Sequence, residues 1–163
     1  MSRSKLSIGR LKKFNYNGTV EKDVDLSSYT TFRCGGTAKY LVKINTIENF
    51  LHVLIYLKKL GIQWFVIGAG SNLLVSDNGY AGVVIKLGGD FARIEERDDN
   101  VIECGAGCSI ASVLAYAKNS NLSGLEDSCG IPATIGGAVF MNASAYNFEM
   151  AKIVDYVIVF KNG

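Results

Sequence analysis

Apolar residues in this chain fall into short runs of two kinds, and the two kinds alternate. Ala38–Ile44 (AKYLVKI) has the length and composition of a strand. Thr46 then stands at a helix N-cap position, with Glu48 in the first turn, where the helix dipole favours an acid. Phe50, Val53, Leu54, Leu57 and Leu60 follow at helical spacing, and Gly61 is a natural stop. Trp64–Ile67 (WFVI) and Val83–Leu87 (VVIKL) read as short strands. Phe91–Glu96 and Val101–Cys104 flank an Asp98-Asp99-Asn100 turn, which predicts a hairpin. Ser109 caps a second predicted helix, with Ile110, Val113, Leu114 and Ala117 on one face, and Asn121 to Gly124 end it. Residues 125–150 are glycine-rich and read as loop plus a short helix, and Ile153–Phe160 (IVDYVIVF) as a strong strand. Residues 1–30 are polar and irregular, an arm or short helix leading in. The predicted order is β-α-β-loop-β-β-β-α-loop-β, with two β-α crossovers separated by a hairpin. That is an α+β or α/β domain. The last strand runs into Lys161-Asn162-Gly163, a strong hairpin-turn signal with no returning strand. The expectation is a chain cut inside a sheet.

Length and composition narrow the class. The chain has 163 residues, and at roughly 100–200 residues per domain that is one domain or a little more. Charged residues make up 20% and hydrophobic residues 48%, which excludes a disordered chain. Seventeen basic and 15 acidic residues leave a formal charge of +2, too balanced to argue for nucleic acid or an anionic membrane surface. No run approaches the ~18 apolar residues of a membrane span. The basic stretch from Met1 to Lys13 is followed by no apolar segment of the signal-peptide kind. A soluble, cytoplasmic protein is expected, without nucleic acid or membrane partners. Cys34, Cys104, Cys108 and Cys129 form no CxxC pair, and the lone histidine, His52, lies far from them. No metal is expected, and the thiols are expected to be reduced and mostly buried.

Glycine changes the picture, with 18 residues where roughly 7% is average. The sharpest feature is Gly68-Ala69-Gly70-Ser71-Asn72-Leu73, fed directly by a predicted strand. Successive backbone N–H groups in such a turn can form an anion-binding nest. It is neither of the standard phosphate fingerprints: position 73 is Leu where a dinucleotide motif has Gly, and no Gly-Lys-Ser/Thr follows. A plain turn and a phosphate cradle both stay open on this loop alone. Gly105-Ala106-Gly107 and Gly130-Ile131-Pro132-Ala133-Thr134-Ile135-Gly136-Gly137-Ala138 are further glycine loops at predicted helix starts. The third is expected to aim backbone donors outward. Three such loops suit an extended, phosphate-bearing ligand. Conventional catalysts are scarce: His52 is offset from its helix's apolar face, Glu95-Glu96 and Asp98-Asp99 flank a turn, and Glu126-Asp127 read as structural acceptors. A cofactor is expected to carry any hard chemistry.

Taken together and in order, these motifs resemble one family, the UDP-N-acetylenolpyruvoylglucosamine reductases (UDP-N-acetylmuramate dehydrogenases). The stretches that carry the likeness are Thr30–Ala38 (TTFRCGGTA), Gly68–Leu74 (GAGSNLL), Asp77-Asn78-Gly79 and Gly82–Ile85 (GVVI). Cys104–Gly107 (CGAG), Leu122–Glu126 (LSGLE), Gly130–Ala138 and Met141–Tyr146 (MNASAY) continue it. The resemblance implies an α+β fold, the two-subdomain FAD-binding domain of the vanillyl-alcohol oxidase and p-cresol methylhydroxylase type, truncated at the C-terminus. Subdomain 1 would cover about 20–87 and subdomain 2, incomplete, about 88–163. It implies non-covalent FAD, with Gly68, Ala69, Gly70, Ser71, Asn72 and Leu73 holding the pyrophosphate. Gly130, Pro132, Thr134, Gly136, Gly137, Ala138 and Ser144 would also bind the cofactor, and Tyr146 would sit near a UDP-sugar substrate. Gly35 and Gly36 would form a turn packing on the flavin subdomain.

The implied reaction is the NADPH-linked reduction of UDP-N-acetylglucosamine enolpyruvate to UDP-N-acetylmuramate in peptidoglycan synthesis. Family members run close to twice this length, and their catalytic arginine, serine and glutamate lie beyond the region matched. No catalytic residue is therefore assigned here, and the isolated chain is expected to be inactive. A monomer is expected at full length. Family members usually carry Gly where Ala133 and Ser144 stand, and often where Asn147 stands. A methyl at Ala133 would strain a loop that needs positive φ. The alternatives are another flavin oxidoreductase of the same fold group and a non-catalytic nucleotide-binding fragment.

Overall fold

The computed structural model describes residues 11–13, 17–97 and 100–161. A four-stranded sheet is built from β1 (Thr19–Asp25), β2 (Thr37–Ile44), β3 (Trp64–Ile67) and β4 (Tyr80–Leu87), in the order β1-β2-β4-β3. β1 runs antiparallel to β2, while β2, β4 and β3 are parallel. Parallel strands need crossovers, and the two here differ. The first is α1 (Ile47–Leu60), capped by Thr46, whose hydroxyl accepts from the Asn49 amide, and closed by Gly61 at φ 64°. Its Val53, Leu54 and Leu57 bury against Val42, Ile44, Val83 and Ile85. The second crossover, residues 68–79, contains no helix. It lies over the opposite sheet face, where Leu73 and Val75 pack on Leu41, Ile67 and Val84. The strand period of two thus divides β4 between two cores: Val83 and Ile85 face α1, and Val84 faces the crossover.

The second half begins with the hairpin of β5 (Ile94–Glu96) and β6 (Ile102–Cys104), where Glu95 directly opposes Glu103. Asp98 and Asp99 of its turn lie outside the described residues. Phe91 belongs to a 3-10 turn, Gly89–Ala92, and not to the strand. α2 (Ile110–Asn119) and α3 (Ile135–Met141) are capped by Ser109 and Thr134. They pack with the small hairpin of β7 (Ser144–Ala145) and β8 (Phe148–Glu149) around Ile110, Ala138, Phe148 and Met150.

Two expectations are corrected. The polar arm over residues 1–30 contains β1 and a 3-10 turn, Leu26–Tyr29, with Leu26 fully buried. Asp23 takes φ 52° in mid-strand, so the alternation that would have announced β1 is interrupted. Conversely, Ile153–Phe160 forms no strand among the described residues. Val154 packs on the second-half core, but the side chains that follow it stand largely in solvent, Ile158 at 84% and Val159 at 70% exposure. A strand needs a neighbour to pair its backbone groups, and no described strand adjoins it. The second β-α crossover is therefore not made. Asn162 and Gly163 lie outside the described residues.

Candidate functional site

The Gly68–Leu73 loop leaves the C-terminal end of β3, at the rim where open parallel sheets bind ligands. Gly70 is buried at φ 68°, and a Cβ there would run into the Tyr29 carbonyl. The Gly70 carbonyl accepts from the Thr31 amide at 3.1 Å, which fixes the loop to the turn after Tyr29. The amides of Ala69, Gly70, Ser71 and Asn72 donate to no protein acceptor among the described residues. A run of unpaired N–H groups around a left-handed glycine is a concavity that suits an anion.

Beneath the loop lies a cation that the sequence reading missed. Lys86 of β4 donates from Nζ to the Gly68 carbonyl at 3.0 Å and stands 6.0 Å from the centre of the Tyr29 ring. It is half-buried, on the sheet face it shares with Val84, and pairs in register with Lys43 of β2. Lys43 is neutralised by Glu21 at 3.1 Å. Lys86 has no carboxylate partner among the described residues. Burial, and then the Lys43 charge, push its ammonium below the ordinary lysine range. The signal in the sequence was a single charge inside the apolar run VVIKL.

The other two glycine loops behave differently. The Gly105 amide donates to Arg93 O at 2.9 Å and the Gly107 amide to Phe91 O at 2.8 Å. The amides of Ile135 and Gly136 donate to Cys108 O at 2.8 Å and Ala106 O at 2.9 Å, and that of Gly137 to the Thr134 hydroxyl at 3.3 Å. The expectation that the third loop aims its donors outward is therefore corrected for these amides: those of Ile135 and Gly136 join the third loop to the second, and that of Gly137 is taken by the Thr134 cap of its own helix. Thr134 also reaches the first loop, because its Oγ1 occupies the space a Cβ on Gly68 would need. The three loops meet, yet unpaired donors remain chiefly on the first.

The remaining expected site residues are spread more widely. Ala138 is buried in the second-half core, and Pro132 and Gly130 are exposed, the latter at φ 87°. Ser144 pairs with Glu149, and Tyr146 in the adjoining turn is 100% exposed at φ 55°, with no group among the described residues orienting its side chain. Ala133 is absent from the positive-φ residues, and its methyl packs on the Ile110 cluster without the expected strain. Gly36 donates to Ser76 O at 2.9 Å, so the Gly35-Gly36 turn packs on the 68–79 crossover. Glu126 accepts from the Gly124 amide at 2.7 Å. His52 is exposed on α1. The expectation of mostly buried thiols is corrected: Cys108 is buried, Cys104 half-buried, and Cys34 and Cys129 exposed. No group of three metal-ligating side chains occurs among the described residues, and no described helix is long and apolar enough to cross a membrane.

A sheet of three parallel strands with one antiparallel edge strand, carrying a crossover whose amides are unpaired among the described residues and joined to a smaller α+β unit, is an arrangement that suits a nucleotide-binding domain. Residues 38–162 match the family described as FAD binding domain, and the chain belongs to that family. Among its curated relatives are UDP-N-acetylenolpyruvoylglucosamine reductases. That of Caldicellulosiruptor saccharolyticus is 41% identical over 152 residues, covering 87% of this chain and 47% of the relative. That of Bacillus subtilis is 40% identical over 147 residues, covering 90% and 48%. The crystal structure of the reductase from Thermus caldophilus superposes with a TM-score of 0.69 at 39% identity, over 82% of this chain and 46% of that one. Cholesterol oxidase from Brevibacterium sterolicum shares the fold, with a TM-score of 0.58 at 14% identity over 78% of this chain and 25% of that one. The α+β FAD-binding fold expected from the resemblance is thus present. The chain spans slightly less than half the length of the curated relatives it matches.

Proposed function

We propose that this chain binds FAD non-covalently and is the flavin-binding part of a UDP-N-acetylenolpyruvoylglucosamine reductase. The observation that carries the reading is the run of unpaired amides at Ala69–Asn72 above Lys86, inside a chain that belongs to the FAD binding domain family. The donor set fits a diphosphate: backbone N–H groups allow close approach at glycine, and a cation with no carboxylate partner among the described residues lies beneath them. When bound, FAD supplies hydride transfer through its flavin ring. The chain's own residues then hold and orient it. Gly68 to Leu73 bind the diphosphate, and Gly130, Pro132, Thr134, Gly136, Gly137, Ala138 and Ser144 shape the wall from the other half. Residues of about 20–87 and 88–163 serve as the two lobes of that clasp. Tyr146, fully exposed in the turn between β7 and β8, is accessible to the sugar nucleotide.

NADPH and the enolpyruvyl UDP-sugar are the substrates this reading assigns. The relatives are about twice as long, and protonation of substrate is assigned to the portion of them that this chain does not cover. The setting proposed is the cytoplasm, and the state a monomer. The test is an absorbance scan of the purified chain before and after FAD is added. Bands near roughly 370 and 450 nm that co-purify or titrate in, as for any oxidised flavin, are the expected result. A folded protein that stays colourless in excess FAD overturns the reading.

A further inference from the structure

We infer that Lys86 is the residue that gives the glycine loop its preference for a diphosphate, by turning the loop and by charging it. The inference rests on the FAD reading above and adds a role for a strand residue outside the loop. Lys86 Nζ holds the Gly68 carbonyl at 3.0 Å. In a trans peptide the C=O and the following N–H point in opposite directions. With the Gly68 carbonyl drawn toward Lys86, the Ala69 amide is turned away from it, as the first of the unpaired donors that continue to Asn72. A cation on the carbonyl also polarises that peptide, so its N–H becomes a better donor to an anion.

The charge is arranged for an external partner. Lys86 and Lys43 are side by side in register on parallel strands, a repulsive placement unless each charge is met. Lys43 is met by Glu21. Lys86 is met within the described protein only by a neutral carbonyl and the face of Tyr29, 6.0 Å away. The ammonium lies on the carbonyl side of the Gly68–Ala69 peptide, so it acts on an anion at the Ala69 amide through its charge and not through a direct hydrogen bond. A half-buried lysine with no carboxylate partner among the described residues is stabilised when an anion enters the loop above it. An uncharged residue at this position would pack against Val84 and Ile67 with less desolvation. Packing alone therefore does not account for lysine here.

FAD titration, followed by flavin fluorescence at several ionic strengths, tests this in the 163-residue chain. The proteins compared are the parent, Lys86→Met, Lys86→Gln and Lys86→Arg, each checked for folding by circular dichroism. The expected result is an affinity lower by tenfold or more in Met and Gln, and within about threefold of the parent in Arg. The parent and Arg should also lose affinity with added salt more steeply than Met and Gln, since the removed charge is what salt screens. If Met does not fold, Gln against Arg decides the same question. Equal affinity and equal salt dependence across the four proteins overturn the role of Lys86 and leave the FAD reading standing. A parent chain that is folded and binds no FAD overturns the FAD reading, and the role of Lys86 falls with it.

Discussion

Cys104 and Cys34 carry the same thiol into opposite surroundings. Burial first, then Cys108 and Glu103 nearby, push the Cys104 thiol up to about 11. Cys34 and Cys129 are exposed. The thiolate is the reactive form, so iodoacetamide at pH 8.5 should label Cys34 and Cys129 and leave Cys104 unmodified in the folded chain. Peptide mass spectrometry reads the outcome, and Cys104 labelled at the rate of Cys34 would contradict it. The same raised value has a consequence for stability. Below roughly pH 8.5, the ordinary cysteine value, both folded and unfolded chains keep the Cys104 proton and the contribution is fully present. As pH rises from there toward about 11, the unfolded chain ionises first and stability falls. The sequence shows four cysteines and no pairing motif, which is enough to argue against a metal-ligand motif. It cannot show which thiol the fold buries, because that depends on Phe91 and Arg93, whose carbonyls accept from Cys108 across the hairpin. Lys86 is a parallel case. Its charge interrupts an apolar run visibly, but which sheet face it enters is set by the register of β4 against β2 and β3.

At the scale of elements, the helices were the legible part because each carries its own punctuation. Thr46, Ser109 and Thr134 cap three helices from their side chains, and Gly61 and Asn142 close two of them in left-handed conformations. These are local signals. Strands depend on what lies beside them, and both errors were of that kind. β1 is short of apolar residues and broken at Asp23, yet β2 offers it an edge, with Thr19 to Asp25 in register. Ile153–Phe160 has the better strand composition and no described neighbour. Its one hydrogen bond from 155–161 to the rest of the described chain runs from the Tyr156 hydroxyl to Glu103 at 2.9 Å. Glu103 opposes Glu95 across the hairpin, and Arg97 reconciles the pair by bonding both, at 3.1 and 3.2 Å. The Arg97 bond first, and then that of Tyr156, hold the Glu103 carboxyl below its usual range. Tyr156→Phe removes the tie without touching any of the three cores. Limited proteolysis within 155–161 should speed up several-fold, with the thermal midpoint within about 2 °C of the parent. The parent's own cleavage should accelerate as acid protonates Glu103, because the carboxylate accepts from Tyr156 more strongly than the neutral acid does. Unchanged cleavage in the Phe variant would show that the segment is held by something other than this bond.

For the molecule as a whole, the decisive contact is between Gly68 in the first half and Thr134 in the second. The sequence offers both as members of glycine loops and gives no sign that they touch, since they lie far apart along the chain and only the fold brings them together. Gly68 is not a positive-φ residue, so alanine there meets no backbone strain. What it meets is the Thr134 hydroxyl, while the Thr134 Cβ and Cγ2 stay 3.4 Å away in ordinary contact. That hydroxyl accepts the Gly137 amide at 3.3 Å and caps α3. One added methyl in the first half therefore has to displace a helix cap in the second, or open the joint between them. Gly68→Ala alone should destabilise by about 1–3 kcal/mol through this overlap. Thr134→Ala alone should cost about 1 kcal/mol through the lost cap. If the two act independently, the double variant loses the sum. If they compete for one space, removing the hydroxyl makes room for the methyl, and the double variant is no less stable than Thr134→Ala by itself. Urea unfolding of the four proteins measures the difference, and a coupling of about 1 kcal/mol or more is expected. The consequence extends to the ligand. The Gly68 carbonyl is held from below by Lys86 and its α-carbon is faced by Thr134, so the loop is positioned by both halves at once. Gly68→Ala should weaken FAD binding even where the chain remains folded, and Thr134→Ala in the same chain should restore part of it. An additive cycle would mean that the halves meet without constraining each other, and that the loop's shape is a property of the first half alone.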